Sequence, residues 1–482
     1  MLFRYFQYAV WVVAAVVSCG AARGTAAEII PAAGEVADVL RSAETEQAIA
    51  YRFSDDDVEL LDSIQEGCFR FFWNEVGETG LVKDRRTTIV SSLAGVGFQL
   101  SSLPIGVERK WITREQGEQR ALKILRSLTA RNDNRHAGVF LHFVHRDTGG
   151  VYPKFRNEAS TVDHSLLLAG ALPAASYFGG EVAEIIDRLV AESNWKAFAS
   201  PETGLLSFAW KPDDNRSMNG DGAFMPNQWH LASDEERLIY FMAVGCPTPE
   251  FAIEPRQYYQ LKRHVDRHQD MLPYVVSWNG ALFTYFFSHC WIDYRSLTAD
   301  DPAAFGGAGP RVDWFENSRR ATLTHRQRCI EASEEFATFA PDRWGVSPCM
   351  GLNEEGRASY LVQDVRPNLS RNDNWQGGTV APYAAGSAII FTPAESMAAL
   401  RAFRELQTPA GEWLAWRDPA GGGYGLADSI NLDQQHASDD YVSIDMGPML
   451  LAIENVRTGL IWRLFKQHKI AQQTTERLGL GL

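Results

Sequence analysis

Acidic residues begin three helix-forming segments of this 482-residue chain, and apolar residues follow each of them. A carboxyl group with apolar neighbours is desolvated, which raises its pKa and suits it to proton transfer. Glycoside hydrolysis needs two carboxyl groups, one to protonate the leaving oxygen and one to activate water or to attack the sugar. The candidates are Glu158 and Asp163 in NEASTVD (157–163), Glu235 in SDEERLIY (233–240) and Asp445 in DDYVSIDMGP (439–448).

The same motifs also fit a purely structural interpretation. Acidic residues in the first turn of a helix complement its dipole. Ser160 or Thr161 can cap the helix that follows the first motif, and Asp445 can itself be a cap before a helix. The residues alone therefore leave open whether these carboxyl groups take part in chemistry or only begin helices.

Other catalytic signatures are missing from the sequence. It contains no P-loop, dinucleotide-binding fingerprint, Gly-x-Ser-x-Gly elbow or His-Glu-x-x-His motif. The glycine-rich run 421–425 lacks a preceding strand, and Asp221 stands in a loop without the ligand spacing of an EF-hand. No cysteine or histidine spacing is typical of a zinc site. We therefore expect neither a metal ion nor an organic cofactor.

The charge balance narrows the class of partner. The chain carries 46 Lys and Arg against 60 Asp and Glu, a formal net charge of −14. Such a protein lacks the positive surface that attracts nucleic acid or anionic lipid. A neutral sugar polymer needs no electrostatic steering, and aromatic residues, 11% of the chain, can stack on sugar faces. This balance is compatible with an oligo- or polysaccharide substrate.

Residues 1–27 are typical of an export signal. Arg4 precedes the apolar run Tyr8–Val17, which is too short to span a bilayer. Cleavage after Ala27 would make 1–27 a signal peptide; alternatively, a lipoprotein signal ends before Cys19, which would be acylated. Either way we expect the protein in the periplasm, in the second case anchored to a membrane. The other five cysteines are scattered and predict free thiols.

The rest of the chain predicts a linker or peripheral helix at 28–55 and one large all-α domain at 56–482. Uncharged helices rich in small residues alternate with amphipathic ones, as two concentric rings of helices would require. Strand-like alternation is confined to short runs at 138–144 and 205–210. The predicted helices cover residues 57–75, 91–103, 113–128, 161–178, 181–193, 233–245, 281–294, 314–336, 382–391, 393–406 and 447–468.

Motifs spread over residues 60–465 resemble those of the bacterial glycoamylase-like family, which includes endo-β-1,2-glucanases and the cyclisation domain of cyclic β-1,2-glucan synthases. The resemblance is specific because of the number and order of these motifs. They are FRFFW (69–73), GVERKWITREQ (106–116), NEASTVDHSLLLAGAL (157–172), SHCWIDYR (288–295), ENSRRAT (316–322), TVAPYAAGS (379–387) and SIDMGPMLLAIENVRTGLIW (443–462).

The resemblance implies an (α/α)6 barrel whose long loops form a cleft at one end. It implies an inverting hydrolase of a β-glucan, specifically β-1,2-glucan, with Glu235 as general acid. Asp445 or Glu158 would be the base-side carboxylate, and Asp163 would line the same cleft. The candidate sugar contacts are Trp210, Lys211, Trp229, His289, Trp291, Arg319 and Trp344.

The chain departs from the family pattern at two places. The family has Asp after the segment 344–349, where this chain has Met350, and Glu236 and Arg237 replace small or apolar residues. These changes leave the linkage and the endo or exo mode open. Two alternatives also stay open: a retaining transglycosylase on the same glucan, and a non-catalytic glycan-binding protein.

Overall fold

The structure is a computed structural model that describes residues 38–155, 157–214, 218 and 220–481. The predicted export signal, including Cys19, lies outside the described residues. In the described part of the predicted linker, a short helix covers Ala43–Ile49 (α1), and Val39 pairs with Val312 through a parallel bridge. The end of the linker is thus attached to the helical body.

The described chain is mostly helical. Several of the helices contain Pro or end at Gly, and most are joined by long loops. The helices after α1 are Asp55–Asn74 (α2), Leu93–Glu108 (α3), Arg114–Thr129 (α4), Thr161–Phe178 (α5), Gly180–Glu192 (α6), Asp234–Val244 (α7), Pro255–Tyr258 (α8), Trp314–Glu331 (α9), Pro382–Ser387 (α10), Pro393–Glu405 (α11), Ser443–Thr458 (α12), Leu460–Gln467 (α13) and Lys469–Arg477 (α14).

Short antiparallel strands occupy the loops, in sheets of two or three strands. They are Val90–Ser92 (β1), Arg135–His136 (β2), Val139–Phe140 (β3), Phe143–His145 (β4), Ala159–Ser160 (β5), Ala209–Pro212 (β6), Gly222–Phe224 (β7), Val265–Asp266 (β8), Tyr274–Val275 (β9), Cys349–Leu352 (β10), Ala358–Leu361 (β11), Trp416–Arg417 (β12), Gly425–Leu426 (β13), Ile430–Asn431 (β14) and His436–Ala437 (β15). Two pairings matter below: β1 with β4, where Ser92 faces Phe143, and β10 with β11, where Met350 faces Tyr360.

A reciprocal capping interaction fixes the start of α2. Ser54 is the N-cap: its Oγ accepts a hydrogen bond from the Asp57 N–H at 3.2 Å, and the Asp57 carboxylate accepts the Ser54 N–H at 3.0 Å. This reciprocal capping box places Asp55, Asp56 and Asp57 in the first turn, where they complement the helix dipole. The three aspartates therefore follow the cap.

The helix predicted at 281–294 is wrong. The segment forms separate 3₁₀ turns at Leu282–Tyr285, Ser288–Cys290 and Tyr294–Ser296. One reason is that the Ser288 N–H donates to the buried carboxylate of Asp234, on α7, and not to a carbonyl of its own segment. A tertiary contact thus competes with the helical hydrogen bond, which apolar periodicity cannot reveal.

Helix α12 begins four residues before its predicted start at Gly447. Pro448 lies inside it as the sixth residue, and Gly459, with φ of 67°, separates it from α13. Asp445 therefore belongs to the first turn of α12 and does not precede the helix. Its own N–H donates to the Val442 carbonyl at 3.1 Å.

Helices α3 and α5 form the centre of the core, and nearly all of their residues are buried. They approach closely because neither Gly97 nor Gly170 has a side chain: a Cβ on Gly170 would lie 2.0 Å from the Gly97 carbonyl oxygen. The Ser101 Oγ–H also donates to the Gly170 carbonyl at 2.8 Å. Helix α12 packs against α3 in the same way, through Gly447 against the Phe98 ring.

Amphipathic helices cover this core. Helix α4 packs on α3, and α6 packs on α5 and α4. In α6, Val182, Ile185, Ile186 and Leu189 are buried while the opposite face is exposed. The predicted alternation of buried and amphipathic helices is therefore present in the described chain.

None of the described helices is both long and apolar enough to cross a bilayer. The five cysteines in the described residues are buried free thiols, as expected: Cys68, Cys246, Cys290, Cys329 and Cys349. Burial raises the pKa of Cys329 to about 12, so this thiol stays protonated and unreactive.

Candidate active site

A cleft opens where the N-terminal ends of α3, α5, α7 and α12 come together. It contains about 860 Å³ of space outside the protein atoms, open solvent included. The positive ends of four helix dipoles therefore lie at its wall. The residues that line it are Asp84, Arg85, Ser92, His142, Phe143, Val162, Asp163, Leu166, Glu235, Phe283, Phe287, Pro348, Tyr360, Tyr383, Val442, Ile444 and Asp445.

Backbone hydrogen bonds hold three of these helix ends together. The Leu93 N–H donates to the His142 carbonyl at 3.0 Å, and the His142 N–H donates to the Glu158 carbonyl at 2.9 Å. The Ser443 N–H donates to the Asp84 carbonyl at 2.8 Å. Loops distant in sequence are thereby fixed against the starts of α3, α5 and α12.

Glu235 stands in the first turn of α7, and part of its side chain is exposed to the cleft. The helix starts with a capping box in which the Glu236 carboxylate accepts the Ser233 N–H at 3.0 Å. Burial raises the pKa of Glu235 well above its ordinary value, and the carboxylates of Glu236, Asp163 and Asp234 raise it further. Glu235 therefore keeps its proton to a higher pH than an ordinary glutamate does.

Asp163 is held in place at the start of α5. It is 4% exposed, and its Oδ2 accepts the Ser160 Oγ–H at 2.5 Å and lies 3.4 Å from Nδ1 of His142. Burial raises its pKa, while His142 and the Ser160 hydrogen bond act in the opposite direction. Asp163 thus orients His142 and places negative charge near Glu235.

Asp445 is 1% exposed in the first turn of α12 and interacts directly with Asp428, which is 3% exposed and lies between β13 and β14. Burial raises the pKa of Asp445 well above its ordinary value, and the Asp428 carboxyl raises it further. Oδ2 of Asp428 accepts the Met350 N–H at 2.6 Å. A strand hairpin thereby fixes the partner of Asp445.

Arg85 brings a guanidinium group to the cleft. Its Nε lies 3.3 Å from Oδ2 of Asp84, and its Nη1–H donates to Sδ of Met350 at 3.0 Å. Burial raises the pKa of Asp84, and Arg85 acts against that rise. At position 350, where the family resemblance implies an Asp, Arg85 therefore contacts the neutral sulfur of Met350.

Aromatic side chains form much of the remaining wall. The His142 ring stacks on Phe143 with a centroid distance of 3.9 Å, and Phe283, Phe287 and Tyr360 also line the cleft. A concave site with apolar rings and a few polar groups is typical of small-molecule and sugar binding.

The structure brings together three of the four predicted carboxyl residues: Glu235, Asp163 and Asp445 all line the cleft. Glu158 does not line it. Its side chain is half-buried before β5, while its carbonyl accepts the His142 N–H. Glu158 lies two residues before the N-cap Ser160, outside the helix that carries Asp163.

The predicted sugar contacts near β6 pack elsewhere. Trp229 is buried; its Nε1–H donates to Thr161 Oγ1 at 2.8 Å, and its ring stacks on Phe208 at 3.9 Å. Trp210 is buried, with its ring parallel to that of His136 at 3.8 Å. Neither these two rings nor the neighbouring Lys211 line the described cleft.

The other predicted sugar contacts lie in the core or beside it. Trp291 and Trp344 have no exposed surface, and the Trp291 Nε1–H donates to Ser101 Oγ at 2.9 Å. His289 is buried, with its Nε2 3.0 Å from Ser318 Oγ, and burial lowers the pKa of His289 well below its ordinary value. Arg319 lies 3.9 Å from a carboxylate oxygen of Glu316 on α9 and does not line the cleft either. Large aromatic side chains fill cores as well as forming binding sites, and residue type alone does not separate the two roles.

Sequence reasoning missed several cleft residues because their motifs carry no recognisable chemistry. Asp84 and Arg85 stand in a charged loop, and His142 stands in a short strand-like run. Asp428 is buried between two short strands, and the sequence around it contains no recognisable catalytic motif. The missed cleft residues are Asp84, Arg85, His142, Tyr360 and Tyr383. Asp428, which contacts Asp445 but does not line the cleft, was missed as well.

Across the residues that the structure describes, no group of three or more His, Cys, Asp and Glu side chains is arranged to hold a metal ion. The polar side chains that line the cleft carry carboxyl, imidazole, guanidinium, phenol and, at Ser92, hydroxyl groups. Together they can bind hydroxyl groups and transfer protons.

Residues 226–469 match the model of the Glycoamylase family. The chain is 27% identical over 473 residues to an exo β-1,2-glucooligosaccharide sophorohydrolase (non-reducing end) of Parabacteroides distasonis. That alignment covers 90% of this chain and 59% of the relative. The chain thus spans less than two thirds of the length of this curated relative.

Two solved structures share the fold. An endo-β-1,2-glucanase of Chitinophaga pinensis, in complex with sophorotriose and glucose, has a TM-score of 0.72 and 23% identity, covering 89% of this chain and 98% of that one. A β-1,2-glucanase of Parabacteroides distasonis has a TM-score of 0.73 and 24% identity, covering 89% and 60%.

Proposed function

This chain belongs to the Glycoamylase family, and from that premise we propose that it is a glycoside hydrolase that cleaves β-1,2-glucan. The observation that carries the proposal is the presence, in one cleft, of Glu235 with a raised pKa and of a second carboxyl group, Asp445. The sophorohydrolase and the endo-β-1,2-glucanase described above both act on β-1,2-linked glucans, which supports the choice of linkage.

In this proposal Glu235 is the general acid. It donates its proton to the glycosidic oxygen as the bond to the anomeric carbon breaks, so the leaving sugar departs as an alcohol. Its raised pKa favours this role because the carboxyl group must be protonated at the start of each turnover. The carboxylates of Asp163 and Glu236 help to keep that proton in place.

Asp445 is the base-side carboxylate. It accepts a proton from the water that attacks the anomeric carbon on the face opposite the leaving oxygen, which inverts the configuration. We prefer Asp445 over Glu158 for this role because only Asp445 lines the cleft with Glu235. Asp163 is a positioning residue that orients His142 toward the bound sugar.

Arg85 and the aromatic wall are the binding groups. Phe143, Phe283 and Phe287 offer apolar surface to the C–H faces of the glucose rings, while Arg85 and His142 donate hydrogen bonds to hydroxyl groups. Arg85 pairs with the Asp84 carboxylate, and at position 350 its guanidinium meets the Met350 sulfur instead of a second carboxylate. Arg85 is then available to a sugar oxygen.

Product analysis on a panel of glucans tests the proposal. The purified protein is incubated with β-1,2-glucan and with β-1,3-, β-1,4-, β-1,6- and α-1,4-linked glucans, and released oligosaccharides are separated by size. We expect short β-1,2-linked products and no release from the others. No release from any glucan by folded protein would refute a hydrolase, and tight glucan binding in that case would identify a non-catalytic binding protein.

The stereochemical course is tested on the same reaction. Proton NMR during the first turnovers distinguishes an α-anomeric product, expected for inversion of a β-linkage, from a β-anomeric product. A β-anomer, or transfer of glucosyl units to an added acceptor, would indicate retention and a transglycosylase instead.

For the architecture, we propose that the helices close into an (α/α)6 barrel with the cleft at one end. The alternation of buried helices such as α3 and α5 with covering helices such as α4 and α6 supports it. A crystal structure would test this closure: a closed ring of six inner helices surrounded by six outer helices would support it, and an open arrangement would refute it.

For localisation, we propose export to the periplasm, supported by the composition of residues 1–27. Mass spectrometry of the mature protein decides between the two forms of the signal. A chain that begins at Glu28 indicates ordinary cleavage, and one that begins at a diacylated Cys19 indicates a lipoprotein. Cytoplasmic protein with an intact N-terminus would refute export.

A further inference from the structure

Asp428 and Asp445 are two buried carboxyl groups in direct hydrogen-bonding contact. Oδ1 of Asp428 and Oδ2 of Asp445 are buried and have no hydrogen-bond partner in the described chain. The nearby Tyr383 hydroxyl acts to lower the pKa of Asp445. However, it lies 2.8 Å from Ser347 Oγ and 2.9 Å from the Pro348 carbonyl, the groups to which it donates. Two carboxylate oxygens cannot donate to each other. A carboxyl O–H on one side chain and a carboxylate on the other would satisfy both oxygens at once.

The surroundings do not supply enough positive charge for two carboxylates. Arg85 is the cation that acts on Asp428, and it is already paired with Asp84. Two like charges in contact and out of water repel each other strongly, so pairs of this kind retain one proton between them. The ionisable groups that face the pair are Asp84, Arg85, Cys349, Tyr360, Tyr383, Asp440 and Tyr441.

We propose that Asp428 is a positioning residue that shares one proton with Asp445, so that the pair carries a single negative charge. This assignment rests on the proposed function only for the base role of Asp445; the shared proton itself does not depend on it. The hydrogen bond from the Met350 N–H fixes Oδ2 of Asp428 and leaves Oδ1 for Asp445. Asp445 lines the cleft, whereas Asp428 does not.

The sharing explains how Asp445 acts as a base although it is buried. A lone aspartate with 1% exposure would hold its own proton to high pH and could not accept one from water. When Asp428 holds the shared proton and donates it to Asp445, the negative charge of the pair lies on Asp445, which can then accept a proton from water. The second proton stays because the pair resists a double charge.

The pH dependence of activity tests the positioning role. Asp428→Ala removes the donor, and we expect the acidic limb of the kcat profile to move up by at least one pH unit. Asp428→Asn supplies an amide N–H in place of the carboxyl O–H. We therefore expect the acidic limb of its kcat profile to lie within half a pH unit of the wild-type limb. The proposal would be overturned if the acidic limb lay at the same pH in wild type and both variants. It would also be overturned if Asp428→Asn shifted the limb as far as Asp428→Ala does.

The pH dependence of unfolding tests the shared proton without using activity. The pair's second proton is bound in the folded state above the pH at which unfolded aspartates lose theirs, so wild-type stability declines as pH rises through that interval. We expect the melting temperature of Asp428→Asn and of Asp445→Asn to decline less between pH 5 and 8. Parallel curves for wild type and both variants would overturn the shared proton.

The two experiments separate this inference from the proposed function. If wild type hydrolyses no glucan, the proposed function fails, and the unfolding curves still decide whether the proton is shared. If Asp428→Ala does not fold, Asp428→Asn and Asp445→Asn carry the stability test.

Discussion

Gly170 of α5 lies against the carbonyl oxygen of Gly97 in α3, so close that a Cβ on Gly170 would be 2.0 Å from that oxygen. No side-chain rotation can relieve such a contact, because both partners are backbone. We expect Gly170→Ala to lower the free energy of unfolding by about 3 kcal/mol, as overpacked cores do. Urea denaturation followed by circular dichroism measures the change.

Gly421→Ala is the matched control for Gly170→Ala. No atom lies within 4 Å of a Cβ placed on Gly421, so we expect a change of less than about 0.5 kcal/mol. Equal stability of Gly170→Ala and Gly421→Ala would show that α3 and α5 do not pack at this distance.

Glu235→Gln removes the donor proton and keeps the shape of the side chain. We expect kcat on β-1,2-glucan to fall by a factor of about 10²–10⁴, the usual contribution of a general acid, with little change in melting temperature. Glu158→Gln serves as control because Glu158 does not line the cleft. Full activity of folded Glu235→Gln would remove Glu235 from the acid role.

Asp445→Asn and Glu158→Gln distinguish the two candidates for the base side. Asp445 is 1% exposed at the cleft, while Glu158 stands outside it, so we expect Asp445→Asn to lose at least about 100-fold in kcat and Glu158→Gln less than threefold. Initial rates at saturating glucan provide the comparison. The reverse ranking would assign the base role to Glu158.

The raised pKa of Glu235 also predicts a pH-dependent stability. The folded state holds this proton above the pKa of an unfolded glutamate, so the stabilisation is complete at low pH and is lost as pH rises toward the folded-state pKa. We expect the melting temperature of wild type to fall more between pH 5 and 8 than that of Glu235→Gln. Superimposable curves would mean that Glu235 ionises like a surface glutamate.

Trp291→Phe tests whether a predicted sugar contact is a core residue. The change removes the hydrogen bond to Ser101 and leaves a gap beside Phe98, so we expect a loss of about 1–3 kcal/mol in stability. We expect KM for β-1,2-glucan to stay within twofold.

His142→Ala is the counterpart of Trp291→Phe at the cleft. His142 lines the cleft and is oriented by Asp163, so we expect its removal to raise KM at least fivefold with a smaller loss of stability. A raised KM in Trp291→Phe and an unchanged one in His142→Ala would contradict the assignment of cleft and core.

Local patterns in the sequence predicted the elements that depend on local interactions. A run of small and apolar residues located α5 at 161–178 to the residue, and the composition of α3 and α5 identified both as buried helices. The acidic motifs at 157–163, 233–240 and 439–448 led to three carboxyl residues of the cleft. These features are visible because helix capping, helix periodicity and burial leave their mark on neighbouring residues.

Tertiary contacts decided what local patterns could not. The 281–294 segment breaks into 3₁₀ turns because Asp234 takes the Ser288 N–H, and Trp291 faces the core although its type suits a sugar site. Asp428, in the loop between β13 and β14, contacts Asp445 in the first turn of α12, and no local motif predicts this contact. The sequence by itself therefore determined most of the helical segments and which of them begin with acid groups. Only the folded chain determined which of those groups share a cleft, because burial and charge–charge contact depend on residues far apart in sequence.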